Sequence, residues 1–254
     1  GGLMVSWSRF VFALIALPLA FPHRVGEMVR TKEPRLQVWR SIVVIGANTI
    51  FFVGLRYLPL ADAVAIGFVA PFLTTVLAIP MLGERVGVRR WTAIVVGFIG
   101  MLVIVRPGFA DRDWMYALPM VSATFWAFYV VLTRKLGSRE SPLTTLFYTP
   151  VAGAIAMTIA APLYWTWPTP GHWAILVAIG VLATVGHLAL IRAYRLAPAS
   201  LLAPFGYFSI VFATVLGFLV FDTLPDVWTL AGAAIVVGSG IYVFHREARV
   251  RASA

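Results

Sequence analysis

Over 254 residues the chain is 61% apolar and 12% charged, with no cysteine and a net charge of +10. Soluble domains run at about 45–50% apolar and about 25% charged, so a soluble fold is excluded, as are disulfides and thiolate metal sites. Nucleic acid is excluded as a partner too, because the basic residues fall in short loops between apolar runs and build no continuous patch.

A transmembrane helix needs roughly 20 apolar residues, and nine such segments can be drawn. They run over 3–20, 41–58, 62–82, 89–106, 114–133, 143–164, 173–193, 199–221 and 228–244. The first carries Arg9, about 9 Å along its helix from Leu3. Its guanidinium either snorkels to the nearer membrane surface or draws an anionic substrate group into the bundle. The basic stretch HRVGEMVRTKEPRLQVWR that follows is the one candidate for a surface helix. The second span places Asn48, Phe51, Phe52 and Leu55 at helical spacing on one face. That face reads as an amide beside stacking rings for a substrate, or as an ordinary interhelical hydrogen bond.

In the third span Ala70-Pro71-Phe72 interrupts the helix, with Phe68 one turn before. Proline removes a backbone hydrogen bond and kinks the chain, a fault tolerated where backbone is buried or faces a cavity. The fourth span is Gly-rich, through Gly97 and Gly100, and the fifth puts Trp126 and Tyr129 on one face. Tyr148 lies on the sixth, and Trp165, Trp167 and Trp173 bound the next loop as interface anchors. His187 lies deep in the seventh span, ILVAIGVLATVGHLALI. An imidazole there could exchange a proton or bond a substrate, or simply hold a neighbouring helix. The eighth span repeats the Ala-Pro-Phe step at Pro204 and adds Tyr207 and Phe208. Rings and hydroxyls of this kind suit a cavity for a flat or amphipathic molecule; for each ring taken singly, packing against lipid or core is the plainer reading. The expected central cavity joins His187 and Asn48 to Phe68, Phe72, Tyr207 and Phe208.

Charge orients the spans. Sixteen of the 20 basic residues fall on one side, giving net charges of +11 there and −2 opposite, so the first side, with the C-terminus, is expected to be cytoplasmic. The odd count of spans and the abrupt GGLMVSW start predict one further helix upstream. A long motif also recurs at an offset of 138 residues: Leu58 falls on Leu196, Ala61 on Ala199, Ala93 on Ala231, Gly100 on Gly238 and Glu84 on Asp222. Copies five spans apart must cross the membrane in opposite directions. Inverted repeats are a recurring transporter architecture, with the substrate at the midplane.

The run LPLADA…APFLTTVLAIPMLGERVGVRRWTAIVVGFIGMLVIVRPG resembles the signature of EamA-type transporters in the drug/metabolite transporter superfamily: a Leu-Pro linker, a proline-broken helix, an LGE turn and a Gly-rich helix. The second copy follows through Ala199, Asp222, Gly232 and Gly238, with FDTLP where the family more often has a Gly-Glu turn. The resemblance implies an all-α bundle of ten membrane helices in two inverted five-helix repeats, 1–110 (nine helices being present in all, without the first) and 111–254. It further implies alternating-access transport of a small organic metabolite, such as an amino acid or related compound, in the bacterial inner membrane. Proton coupling is a further expectation, and no cofactor is implied. The Gly-rich faces would serve close contacts within the chain or a homodimer seam, and the sequence leaves both open. A channel would need a repeated polar lining, and an intramembrane enzyme a catalytic constellation; H-E-x-x-H, G-x-S-x-G and paired intramembrane carboxylates are all absent.

Overall fold

The computed structural model describes residues 2–58, 60–105, 115, 117–137, 139–202, 205–206, 209, 212, 215, 219, 227–228, 230–232, 234–235, 238–239 and 241–242. Within them the chain forms α1 (Gly2–Ala20), a 3-10 turn, α2 (Val25–Val29), α3 (Pro34–Gly54), α4 (Leu60–Gly67), α5 (Ala70–Leu82), α6 (Val88–Val105), α7 (Ala117–Gly137), α8 (Pro142–Ala160), α9 (Pro170–Leu196) and α10 (Ala199–Leu202). Proline opens α3, α8 and α9 at the first helical position, where its missing N–H leaves no bond unmade. Among the described residues, α1, α3, α7, α8 with its following turn, and α9 are long and apolar enough to cross a membrane. The outward faces match that reading: Leu182 and Val185 on α9 are 70% and 62% exposed, an arrangement suited to lipid rather than water. The molecule is an integral membrane protein.

Two spans depart from expectation. The second begins at Pro34 rather than 41, which carries Arg40 inside the helix instead of leaving it in a surface loop. Hydropathy stops at a charge, whereas the helix continues because that charge is bonded within the bundle. The third, expected as one kinked helix over 62–82, is two helices meeting at a turn over 68–69. Pro71 lies in the first turn of α5, so the break falls where a proline is tolerated. Helix α5 then ends on Gly83, whose φ of 67° places it in the left-handed region, with its N–H bonded to Ile79 O at 3.0 Å. Glu84 follows directly, and its Oε1 accepts the backbone N–H of Ala199 at 2.8 Å, at the start of α10. The acidic turn of the first copy is thereby fastened to the linker of the second.

Helix packing places α1 against α8 and α9, and α3 against α7 and α8, with α7 also touching α5 and α9. The α1–α9 contact is close because Gly180 lacks a side chain: a Cβ there would lie 2.5 Å from Phe12 Cβ and 3.0 Å from Ser8 O. At the far end of the same pair, Trp7 meets Trp165 and Trp173 edge-on, and its Nε1–H donates to Thr158 Oγ1 at 3.1 Å. The interface tryptophans expected from sequence thus form one cluster with α1.

The basic stretch before α3 folds back beneath the bundle. Met28 is fully buried among Leu17, Leu143, Leu146 and Ile191. Glu140, itself buried, accepts from Thr31 Oγ1 at 2.6 Å, Lys32 N at 2.6 Å and Glu33 N at 2.9 Å. One carboxylate therefore replaces the hydrogen bonds that this turn would otherwise make to water.

Two outcomes are expected. Gly180→Ala should lower stability by about 1–3 kcal/mol through overpacking, while Gly186→Ala, which meets nothing within 4 Å, should be neutral or stabilising by up to about 1 kcal/mol. Thermal unfolding in detergent compares them. Glu140→Ala should release the 30–33 turn, read as faster tryptic cleavage after Arg30 and Lys32 at unchanged helical content.

Candidate functional site

Five helices bring polar side chains to one place in the bundle. From α1, Arg9 donates through Nη1 to Asn48 Oδ1 on α3 at 2.9 Å, and through Nη2 to His187 Nε2 on α9 at 3.1 Å. Arginine has no acceptor, so Nε2 must carry the lone pair and Nδ1 the proton. Nδ1–H then donates to the Tyr129 hydroxyl oxygen on α7 at 2.9 Å. That same oxygen accepts from Arg40 Nη2 at 2.9 Å. Asn48 is turned to match: its Nδ2 donates to Val44 O at 2.8 Å, which leaves Oδ1 for Arg9.

Arg40 was not anticipated as an interior residue. It is 1% exposed, and its Nε–H donates to Thr133 Oγ1 at 2.7 Å. Its Nη1 donates to Thr145 O at 2.8 Å and Thr149 Oγ1 at 2.6 Å. The guanidinium also stands 4.6 Å from the centroid of the Tyr129 ring, within cation–π range. Four donated hydrogen bonds to α7 and α8 compensate the desolvation of a buried charge. The signal that could have found it is the run Gln37, Ser41, Val44, Asn48, a helical stripe with Arg40 on its flank; treating Arg40 only as a topology marker hid it.

Two cavities adjoin this network. A small one of ≈30 Å³ is lined by Arg9, Arg40, Tyr129, Thr149, Thr184 and His187, with apolar neighbours. A larger one of ≈270 Å³ lies at the α4–α5 break, lined by Phe51, Phe68, Pro71, Thr74, Trp126 and Tyr194 among others. Non-helical backbone at this depth borders a cavity, as membrane burial requires; at the turn Val69 N–H donates to Ile66 O at 3.1 Å and Leu73 N–H to Val69 O at 3.0 Å. Trp126 stands between the two, lining the larger cavity while its ring lies 5.0 Å from Tyr129 and 6.1 Å from His187.

Among the described residues, side chains expected to share one cavity line two. Arg9, Tyr129 and His187 belong to the polar one, with Asn48 bonded to Arg9 behind it. Phe51, Phe68, Pro71 and Trp126 belong to the aromatic one. Phe52 packs edge-on against Phe51. Phe72 turns away to Trp91 and Phe98, and lines neither cavity. Tyr148 stands apart as well: its hydroxyl donates to Val29 O at 2.6 Å and ties down α2. Pro204, Tyr207 and Phe208 lie outside the described residues. No group of three or more metal-ligating side chains occurs among the described residues.

Comparison with known proteins agrees with this architecture. A solved crystal structure superposes with a TM-score of 0.84 over 98% of this chain and 89% of the other, at 19% identity, a likeness of fold. The S-adenosylmethionine uptake transporter of Rickettsia felis is 27% identical over 244 residues, covering 96% of this chain and 83% of the relative. The riboflavin transporter of Vibrio cholerae is 28% identical over 248 residues, covering 96% and 83%. The pseudopaline exporter CntI of Pseudomonas aeruginosa is 32% identical over 192 residues, covering 74% and 66%. The model of the EamA-like transporter family matches residues 2–106 and 113–244, and with nearly the whole length so matched the chain belongs to that family, a transporter rather than an enzyme.

Proposed function

We propose that this protein is a secondary active carrier of a small organic metabolite, working by alternating access across the bacterial inner membrane with its C-terminus in the cytoplasm. The observation that carries the reading is the juxtaposition at the α4–α5 break. An interrupted helix opens on an aromatic cavity of ≈270 Å³, and Trp126, which lines it, packs against Tyr129 and His187 of a buried polar network. Broken helices beside a polar site at bundle depth are the usual construction of carrier sites. The relatives' names fit a small metabolite as cargo and include both uptake and export.

In this proposal residues 1–110 and 111–254 are inverted repeats, and substrate meets Phe51, Phe68, Pro71 and Trp126 on one wall, with Arg9, Asn48, Tyr129 and His187 on the other. Support for the repeats comes from the 138-residue offset and from Glu84, which joins the two copies at Ala199. Helix α1 of the first half packs against α8 and α9 of the second, and the polar network joins the halves there. Both ring nitrogens of His187 are occupied there. A proton-coupled cycle would thus require one of those bonds to open, and uptake driven by a pH gradient is the measurement that addresses it.

Reconstituted full-length protein is expected to show counterflow of a metabolite that stabilises it in a thermal-shift screen, since ligands of the folded state raise apparent stability. No counterflow for any stabilising metabolite overturns the carrier reading. Two variants separate cavity from scaffold. Trp126→Ala should fold but weaken apparent substrate affinity about tenfold, equivalent to about 1.4 kcal/mol. Arg40→Lys should instead cost roughly 3 kcal/mol or more of stability, because an ammonium cannot reach acceptors arranged for a planar fork and leaves buried partners unpaired.

A further inference from the structure

We infer that Arg9 is an anion-holding subsite and that the transported metabolite carries a carboxylate, which its guanidinium binds from the ≈30 Å³ cavity; the inference rests on the carrier reading above. The two interior arginines differ in how many of their donors are bonded. A guanidinium has five N–H donors. Arg40 gives four hydrogen bonds, to Thr133, Thr145, Thr149 and Tyr129, so it is nearly saturated. Arg9 gives two, to Asn48 and His187, and three of its donor directions have no partner among the described residues. Arg40 serves the scaffold. Both border the small cavity, and Arg9 is the one with most of its donors unbonded.

Charge makes the same point. The acceptors of both arginines are neutral: an amide, an imidazole, hydroxyls and a backbone carbonyl. The acids whose side chains are described are engaged elsewhere: Glu27 with Arg24, Glu33 with Arg139, Glu140 with the 31–33 turn and Glu84 with Ala199. Two positive charges therefore share the bundle interior with no carboxylate bonded to either among the described residues. An uncompensated charge at membrane depth costs several kcal/mol, and a substrate anion would relieve that cost in the bound state only. Guanidinium and carboxylate match in geometry, with paired N–H···O bonds stronger than neutral ones. Size agrees: about 10–15 Å³ of such space holds a water, so the cavity has room for a carboxylate head and little more. The body of the molecule would extend past Trp126 into the aromatic cavity.

Asn48 supplies the test. Its Oδ1 faces Arg9, so Asn48→Asp places a near-isosteric carboxylate on the open guanidinium and pre-empts the ligand. Full-length protein in a neutral detergent is titrated with phenylacetate, hippurate and succinate beside phenylacetamide, hippuramide and succinamide, following thermal unfolding and calorimetric binding. At least one acid should raise the unfolding midpoint while its amide does not. Asn48→Asp gives up the Nδ2–H bond to Val44 O and should bind that acid about 10- to 100-fold more weakly, the range expected for a charge-assisted hydrogen bond. Arg9→Lys, which keeps the charge and loses the fork, should weaken it about tenfold, and it carries the test if Asn48→Asp does not fold. Equal response to amides, an undiminished response in the variants, or no acid that shifts wild type overturns the subsite. Dodecanoate separates sources, since a response to it alone would make the anion a lipid and not a metabolite. Counterflow of a neutral metabolite without carboxylate preference would sink this subsite and leave the carrier standing.

Discussion

A guanidinium sealed among membrane helices cannot lose its proton and cannot reach water, so the protein around it must supply acceptors from several directions at once. Arg40 meets that condition through two threonine hydroxyls, one carbonyl and a tyrosine, drawn from α7 and α8. The Tyr129 hydroxyl then passes the constraint to His187 on α9, and His187 passes it to Arg9 on α1 and Asn48 on α3. Each step removes a rotational choice: the fork of Arg40 orients Tyr129, Tyr129 and Arg9 together select one tautomer of His187, and Asn48 must present its oxygen. Five helices are in register because these donors and acceptors admit few other arrangements. In lipid the hydrophobic effect does little to choose among helix pairings, so such a network carries more of the specificity than it would in a soluble core.

Close packing and polar bonding divide the work along the bundle. Near the network the helices are held by hydrogen bonds; toward the tryptophan cluster, α1 and α9 are held by the absence of a side chain at Gly180 and by edge-on rings. At the opposite end the burial of Met28 and the triple bonding at Glu140 close the bundle from beneath. The helix break at 68–69 is the exception, a place where regular backbone bonding is given up. It can be tolerated because the turn keeps bonds of its own, Val69 N–H to Ile66 O and Leu73 N–H to Val69 O, and because the break borders a cavity.

Much of this was legible in the letters. Apolar runs marked the five helices that are long and apolar enough to span among the described residues, the motif at 58–108 pointed to the family, and the ionisable or amide residues within spans, Asn48 and His187, turned out to be joined through Arg9. Partnership among them was not legible, because it depends on α1 lying between α8 and α9, a tertiary fact with no local signature. The same holds for Tyr148 and Phe72, whose ring and spacing resemble those of cavity residues but whose neighbours are α2 and α6. Arg40 failed for a different reason. Hydropathy assigns a terminal arginine to the membrane surface, and its burial is offset by acceptors on other helices, at Tyr129, Thr133, Thr145 and Thr149.

The two arginines also show why counting intramembrane charges says less than counting their unused donors. Both are cations in the bundle interior, and by sequence position Arg9 looks the more costly. Donor accounting reverses their roles. Arg40 resembles a structural ion whose coordination is complete, so its surroundings have no reason to rearrange. Arg9 borders the same cavity with fewer of its donors bonded, and the neutral groups beside it, Asn48 and His187, hold the guanidinium in place without cancelling its charge. An amide at position 48 can give Arg9 an oxygen and Val44 O a proton at once, which a carboxylate cannot. That an amide of the same shape stands there keeps the charge of Arg9 uncompensated, and an uncompensated charge has work left to do.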